Sequence, residues 1–184
     1  MLVEKGLMKT EVVFNNESKT ERYLLRKVWD EEKPLISLVM TNPSTANAVS
    51  IDMTVHYCID NIYRLGDYGG VDILNMTSRV LPKIDTKSDV SLTDVNKERI
   101  LKSAEKSDKV VIAWGKIGEN NSRVKHVQLE VLELLKPLQS QGKLYMIASD
   151  RGDVLFHPLA AQVRFSWHLV PFVMPDYLQE GVGG

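Results

Sequence analysis

Cysteine is nearly missing from this chain: Cys58 is the only one among 184 residues. A single thiol excludes an internal disulfide framework and any zinc site built on several thiolates. Long apolar runs are missing too, and none approaches the roughly 18 residues that mark a membrane-spanning helix. Residues 1–6 hold no apolar stretch behind a basic residue, so no secretory signal is expected there. Charge of one sign is also lacking, because 23 Lys and Arg stand against 24 Asp and Glu, a formal net charge of −1. That balance excludes a strongly basic nucleic-acid coat protein but allows a local basic patch. There is no Walker loop, no G-x-G-x-x-G run and no serine-hydrolase elbow. The expectations are a cytoplasmic chain with no cofactor, no metal and no membrane partner.

What is present is ordinary globular material, 43% hydrophobic and 26% charged. It is enough for the core of a single α/β domain. Residues 11–14 and 22–29 are rich in strand formers and flank the polar turn 15–18, which predicts an N-terminal hairpin within an extension over 1–33. Residues 35–40 form a nearly continuous apolar run, the mark of a strand covered on both faces. A helix follows, capped by Asp52, running to about Arg64 and stopped by Gly66. The alternation repeats: a strand at 71–74, a helix at 91–107, a strand at 109–113, a helix at 122–138 and a strand at 144–148. In the second of these helices Leu92, Val95, Ile100, Leu101 and Ala104 are expected toward the core. Strand alternating with helix implies parallel pairing with right-handed crossovers. The expected architecture is a three-layer sandwich over 34–170 with a four-stranded, mostly parallel sheet, followed by a tail over 171–184.

Ligands of such sheets bind outside the carboxyl ends of the strands. Polar or unusual residues stand at all four ends: Asn42-Pro43, Asn75, Trp114-Gly115 and Ser149-Asp150. Asn42-Pro43-Ser44-Thr45 is either a plain Asn-Pro turn with a capping serine, or a turn whose amides and hydroxyls face a polar ligand. Asn75 either caps a loop or reads the edge of a heterocycle. Trp114 either packs in the core or walls a pocket for a flat ligand, with Gly115 allowing close backbone approach. His157 lies in a loop held by Pro158, where an imidazole can move a proton near neutral pH or steady a developing anion. His56, His126 and His168 read as structural.

In order along the chain, these motifs resemble a bacterial and phage family, the domain of unknown function sixteen-forty-three. The likeness runs through Asn42-Pro43-Ser44-Thr45-Ala46, Asp52-Met53-Thr54-Val55 with Cys58, Tyr68-Gly69-Gly70, Asn75 with Arg79, Ala113-Trp114-Gly115 and His157-Pro158-Leu159. It departs at Asn47, where the family often has an acid. More distantly, Met40-Thr41-Asn42-Pro43, Ile73-Leu74-Asn75, Ala113-Trp114-Gly115 and His157-Pro158-Leu159 resemble the uracil-DNA glycosylase superfamily. That likeness implies its fold, with Asn42 positioning the attacking water and His157 stabilising the departing base. It further implies that Asn75 reads the base, that Ser44 and Thr45 contact phosphate, and that Pro43, Trp114 and Gly115 shape the pocket. The glycine of the first motif and the serine of the last are replaced here, by Met40 and Leu159. The expected function is an N-glycosidase acting on a nucleobase in DNA or in a nucleotide. The rival is a pocket that binds a nucleotide or a protein partner without turnover, as in phage–host conflict.

Overall fold

A computed structural model describes residues 1–3, 5–81, 84, 88, 90–148 and 154–179. The expected strand end at Ser149-Asp150 and the last residues of the tail lie outside the described residues. The strands are β1 (Lys9–Phe14), β2 (Arg22–Val28), β3 (Leu35–Met40), β4 (Gly70–Asn75), β5 (Lys109–Ile112), β6 (Leu144–Ala148) and β7 (His168–Pro171). They form one mixed sheet in the order β1-β2-β4-β3-β5-β6-β7.

The four expected parallel strands are its centre, since β4, β3, β5 and β6 pair in parallel. The sheet itself has seven strands rather than four. The N-terminal hairpin is continuous with it, because β2 runs antiparallel along β4 with Arg26 opposite Asp72. On the other edge β7 runs antiparallel to β6. Sequence reading placed no strand there, because His168-Leu169-Val170-Pro171 is only four residues long and has no buried alternation.

Apolar alternation on the strands feeds two cores. Leu38, Val71, Ile73 and Val111 pack with Val55, Cys58 and Ile62 of α1 (Met53–Leu65) and with Val163 and Trp167. Val39, Leu74, Val110 and Ile112 pack on the opposite face, with α2 (Asp94–Lys106) and α3 (Ser122–Ser140). The short α4 (Asp176–Gln179) adds Leu178 to that second core.

Helix α1 begins and ends as its sequence requires. The Asp52 carboxylate accepts from the Val55 N–H, and Gly66 takes the left-handed conformation at φ 80° that ends many helices. Helix α2 is capped by Thr93, so its first turn lies later than expected. Val95 is consequently on the outside, 56% exposed. The buried stripe runs through Asn96, Ile100, Ser103 and Ala104 instead. Asn96 is buried because it donates to the Asn75 and Met76 carbonyls, at 2.8 and 3.0 Å.

Candidate functional site

Strand β3 continues past Met40 in extended contact with its neighbours. The Met76 and Thr77 amides donate to the Met40 and Thr41 carbonyls, and the Thr41 hydroxyl reaches the Trp114 carbonyl at 3.4 Å. The carboxyl ends of β3, β4 and β5 are therefore bound together, and the chain leaves them in loops. Between those loops lies a cleft of about 660 Å³. After β3 it is lined by Met40, Thr41, Asn42, Ser44 and Thr45, at the start of α1 by Asp52 and Thr54, and after β5 by Trp114 to Ile117. Leu81, Ile84, His157 and Leu159 complete it.

Six of the eight residues expected at the site thus line one cleft: Asn42, Ser44, Thr45, Trp114, Gly115 and His157. Pro43 is buried and is not among the lining residues. Asn75 is also outside the lining, with its side chain 1% exposed and its Oδ1 accepting from Arg22 Nη2 at 3.4 Å.

Asn42 is held by its own amide. Nδ2 donates to the Leu81 carbonyl at 2.6 Å and to the Pro43 carbonyl at 3.2 Å. Those two acceptors fix which end of the amide carries nitrogen, because a flipped side chain would set oxygen against oxygen. Oδ1 is then the acceptor left for a ligand or a water.

His157 is held on its other ring atom. The Leu159 N–H donates to Nδ1 at 3.2 Å, so the neutral imidazole carries its proton on Nε2. Burial pushes the His157 pKa below its ordinary value, and the Asp52 carboxylate opposes that shift. The ring is therefore a neutral hydrogen-bond donor near pH 7. Gly115, at φ 67°, lets the β5 loop pass close beneath it.

Trp114 is only 1% exposed and belongs to the core cluster with Val124 and Leu178. It is thus a core residue that also borders the cleft. Asp52 was expected only as a helix cap, yet it lines the cleft and its charge reaches His157. Asp-x-x at a helix start is the one signal the sequence offers for it, and capping alone explains that signal. Lys116, also in the cleft, is tied to Glu119 at 3.3 Å. Cys58 is fully buried, and burial pushes its thiol pKa far up, so it is an inert core residue. Among the described residues no cluster of three or more His, Cys, Asp or Glu side chains is placed to hold a metal ion, and no helix is long and apolar enough to cross a membrane.

Residues 22–159 match the family model described as "Protein of unknown function (DUF1643)". The chain belongs to that family. The match covers β2 through Leu159, and so takes in every cleft-lining residue of this DUF1643 chain. No curated protein and no solved structure matches it. Membership assigns no chemistry by itself, so the cleft must supply it.

Proposed function

We propose that the chain hydrolyses an N-glycosidic bond, with the nucleobase of a nucleotide or of DNA held in the cleft. One observation carries the reading. Asn42, whose amide nitrogen is already spent on carbonyls, and His157, whose Nδ1 is already bonded, line the same cleft together with Asp52. Breaking the bond from C1′ to the base nitrogen leaves an anionic base and a cationic, oxocarbenium-like sugar. Preorganised groups of opposite polarity at the two ends lower that barrier more than a strong nucleophile would. His157 Nε2–H donates to the carbonyl oxygen of the departing base. The Asp52 charge favours the sugar cation. Asn42 Oδ1 accepts from the water whose oxygen bonds to C1′, and the proton that water releases ends on the base nitrogen. The apolar walls, Met40, Leu81, Ile84 and Leu159, suit a flat heterocycle with few polar anchors. The motif likeness to the uracil-DNA glycosylase superfamily points the same way.

The test is release of free base, read by mass spectrometry, from uracil-containing, mismatched and hypermodified DNA and from the matching nucleosides and nucleotides. Release is expected to be lost in Asn42→Ala and in His157→Ala. No release from the whole panel at high enzyme concentration would overturn the hydrolase.

A binding pocket without turnover is the second reading. It is favoured by Asn75, which is bonded to Arg22 and is not among the cleft-lining residues, and by Met40 and Leu159, whose apolar side chains are among them. It predicts saturable calorimetric binding of a nucleotide, or capture of a protein partner, with no product formed.

A further inference from the structure

The side of the cleft formed by Ser44 and Thr45 belongs to a loop with no regular structure of its own. Its carbonyls are gripped from behind by β2. Arg22 Nη1 donates to the Ala46 carbonyl at 2.8 Å and to the Ser44 carbonyl at 3.4 Å. The same guanidinium reaches Asn75 Oδ1 through Nη2. Lys27, on the same strand, donates to the Ala48 carbonyl at 3.2 Å and to the Thr10 hydroxyl at 3.0 Å. Both cations are nearly fully buried, at 1% and 3% exposure.

Every hydrogen-bond acceptor of Arg22 is neutral. Burying a guanidinium on neutral partners costs stability compared with an apolar side chain of the same size. The cost is visible in its pKa, which burial draws down to about 10 while the Asp52 charge opposes the shift. A cost of this kind needs a return other than stability. The planar fork supplies one, because it binds acceptors from two segments at fixed angles. The segments it joins are the loop that walls the cleft and the carboxyl end of β4.

We propose that Arg22 is a positioning residue that holds the 44–48 loop, whose Ser44 and Thr45 line the cleft, in its ligand-ready shape, and that Asn75 acts through Arg22 rather than by touching a ligand. Lys27 secures the far end of the same loop. What the wall is for rests on the nucleobase reading above. That Arg22 sets its shape does not.

The experiment is backbone amide exchange on the full chain, comparing wild type with Arg22→Met, Arg22→Lys and Asn75→Ala. The reporting amides are Asn47, Val49 and Ser50, which are hydrogen-bonded within the loop. Arg22→Met should speed their exchange by about tenfold or more and leave the β3 and β5 amides protected, because local opening is separable from global unfolding. Arg22→Lys should recover part of the protection, and Asn75→Ala should shift the same amides to a smaller degree. Unchanged loop exchange in Arg22→Met, or loosening spread evenly over the sheet, overturns the proposal. If Arg22→Met does not fold, unchanged loop exchange in both Arg22→Lys and Asn75→Ala overturns it. The same variants are assayed with any substrate found in the base-release panel. A positioning role raises KM and leaves the His157-dependent pH profile of kcat in place. A wild type that neither binds nor cleaves any nucleobase compound refutes the nucleobase reading alone, since the exchange measurement uses no ligand.

Discussion

Gly115 and His157 are packed so closely that a Cβ on Gly115 would lie 3.0 Å from the His157 Cβ and 3.3 Å from the His157 backbone nitrogen. Gly115 also sits at φ 67°, where an L side chain is strained. Gly115→Ala should therefore cost about 1–2 kcal/mol from the backbone alone. It should also push the imidazole out of register with the cleft. Denaturant unfolding reads the first effect, and the change in the His157 ring resonances reads the second. An alanine variant with both unchanged would mean that the glycine has no part in seating the histidine.

Asp52 has two jobs that substitution can separate. Its Oδ1 accepts from the Val55 N–H at 2.9 Å, which caps α1. Asparagine caps about as well as aspartate, whereas alanine loses about 1 kcal/mol. Asp52→Asn should thus leave the unfolding midpoint close to wild type, and Asp52→Ala should lower it. Both remove the charge that holds the His157 pKa up. Proton NMR titration should therefore show the imidazole pKa falling further in each variant. Base release should fall in Asp52→Asn although the fold is intact. An imidazole pKa that stays put in Asp52→Asn would show that the carboxylate does not act on the ring.

Acid should weaken the fold through His157. Burial holds its folded pKa below the ordinary 6.5. Below that pH the unfolded chain binds a proton that the folded chain refuses, so the unfolded state gains. The full contribution is present above about pH 6.5. It is lost as the pH falls toward the folded pKa, and the slope ends once the folded ring is protonated. Protonation at Nδ1 would also set an N–H against the Leu159 N–H that now donates to it. His157→Gln should flatten stability against pH in that window relative to wild type. The difference between the two urea-unfolding series isolates this group from the acids that titrate lower. Parallel curves for the two proteins would refute the assignment.

Much of this frame is legible in the sequence. Strands at 35–40, 71–74, 109–113 and 144–148 are short apolar runs ended by polar residues, and their parallel pairing follows from the helices between them. Helix α1 carries both its cap, Asp52, and its stop, Gly66. The residues that escaped are those whose meaning depends on distant partners. Arg22 opens a stretch that the sequence marks only as strand-forming. It is buried because carbonyls at Ser44 and Ala46 and the amide of Asn75 fold onto it. Asn96 is absent from the apolar stripe expected of its helix, yet it is buried, where it donates to two carbonyls at the end of β4. Asn75 has even claims in the sequence as a base reader and as a structural amide, and its hydrogen bond to Arg22 is a partner that the sequence does not show.

The hairpin offers the sharpest test of how the extra strands are held. Arg26 and Asp72 face each other across β2 and β4. Arg26 Nε and Nη2 each donate to one carboxylate oxygen at 2.6 Å, and the Ser103 hydroxyl donates to the same carboxylate from α2. One side chain thereby joins the hairpin, the parallel block and a helix. Asp72 is 1% exposed and the Arg26 side chain 28%. The bond to Asp72 is the main reason that the Arg26 pKa is raised. Removing the carboxylate leaves Arg26 only the exposed Glu11, at 3.4 Å, and leaves the Ser103 hydroxyl to Ser37 alone, and breaking a buried pair costs about 3–5 kcal/mol. Arg26 can turn partly to water, which places Asp72→Ala near the lower end, about 3 kcal/mol. Replacing both partners should recover most of it, because an apolar pair of similar volume often matches a buried ion pair. Arg26→Met with Asp72→Leu should therefore unfold at a higher denaturant midpoint than Asp72→Ala, with the same slope. If Asp72→Ala loses less than about 1 kcal/mol, the value of an exposed pair, the carboxylate is not what fastens β2 to β4. The backbone ladder of the two strands would then hold the hairpin alone.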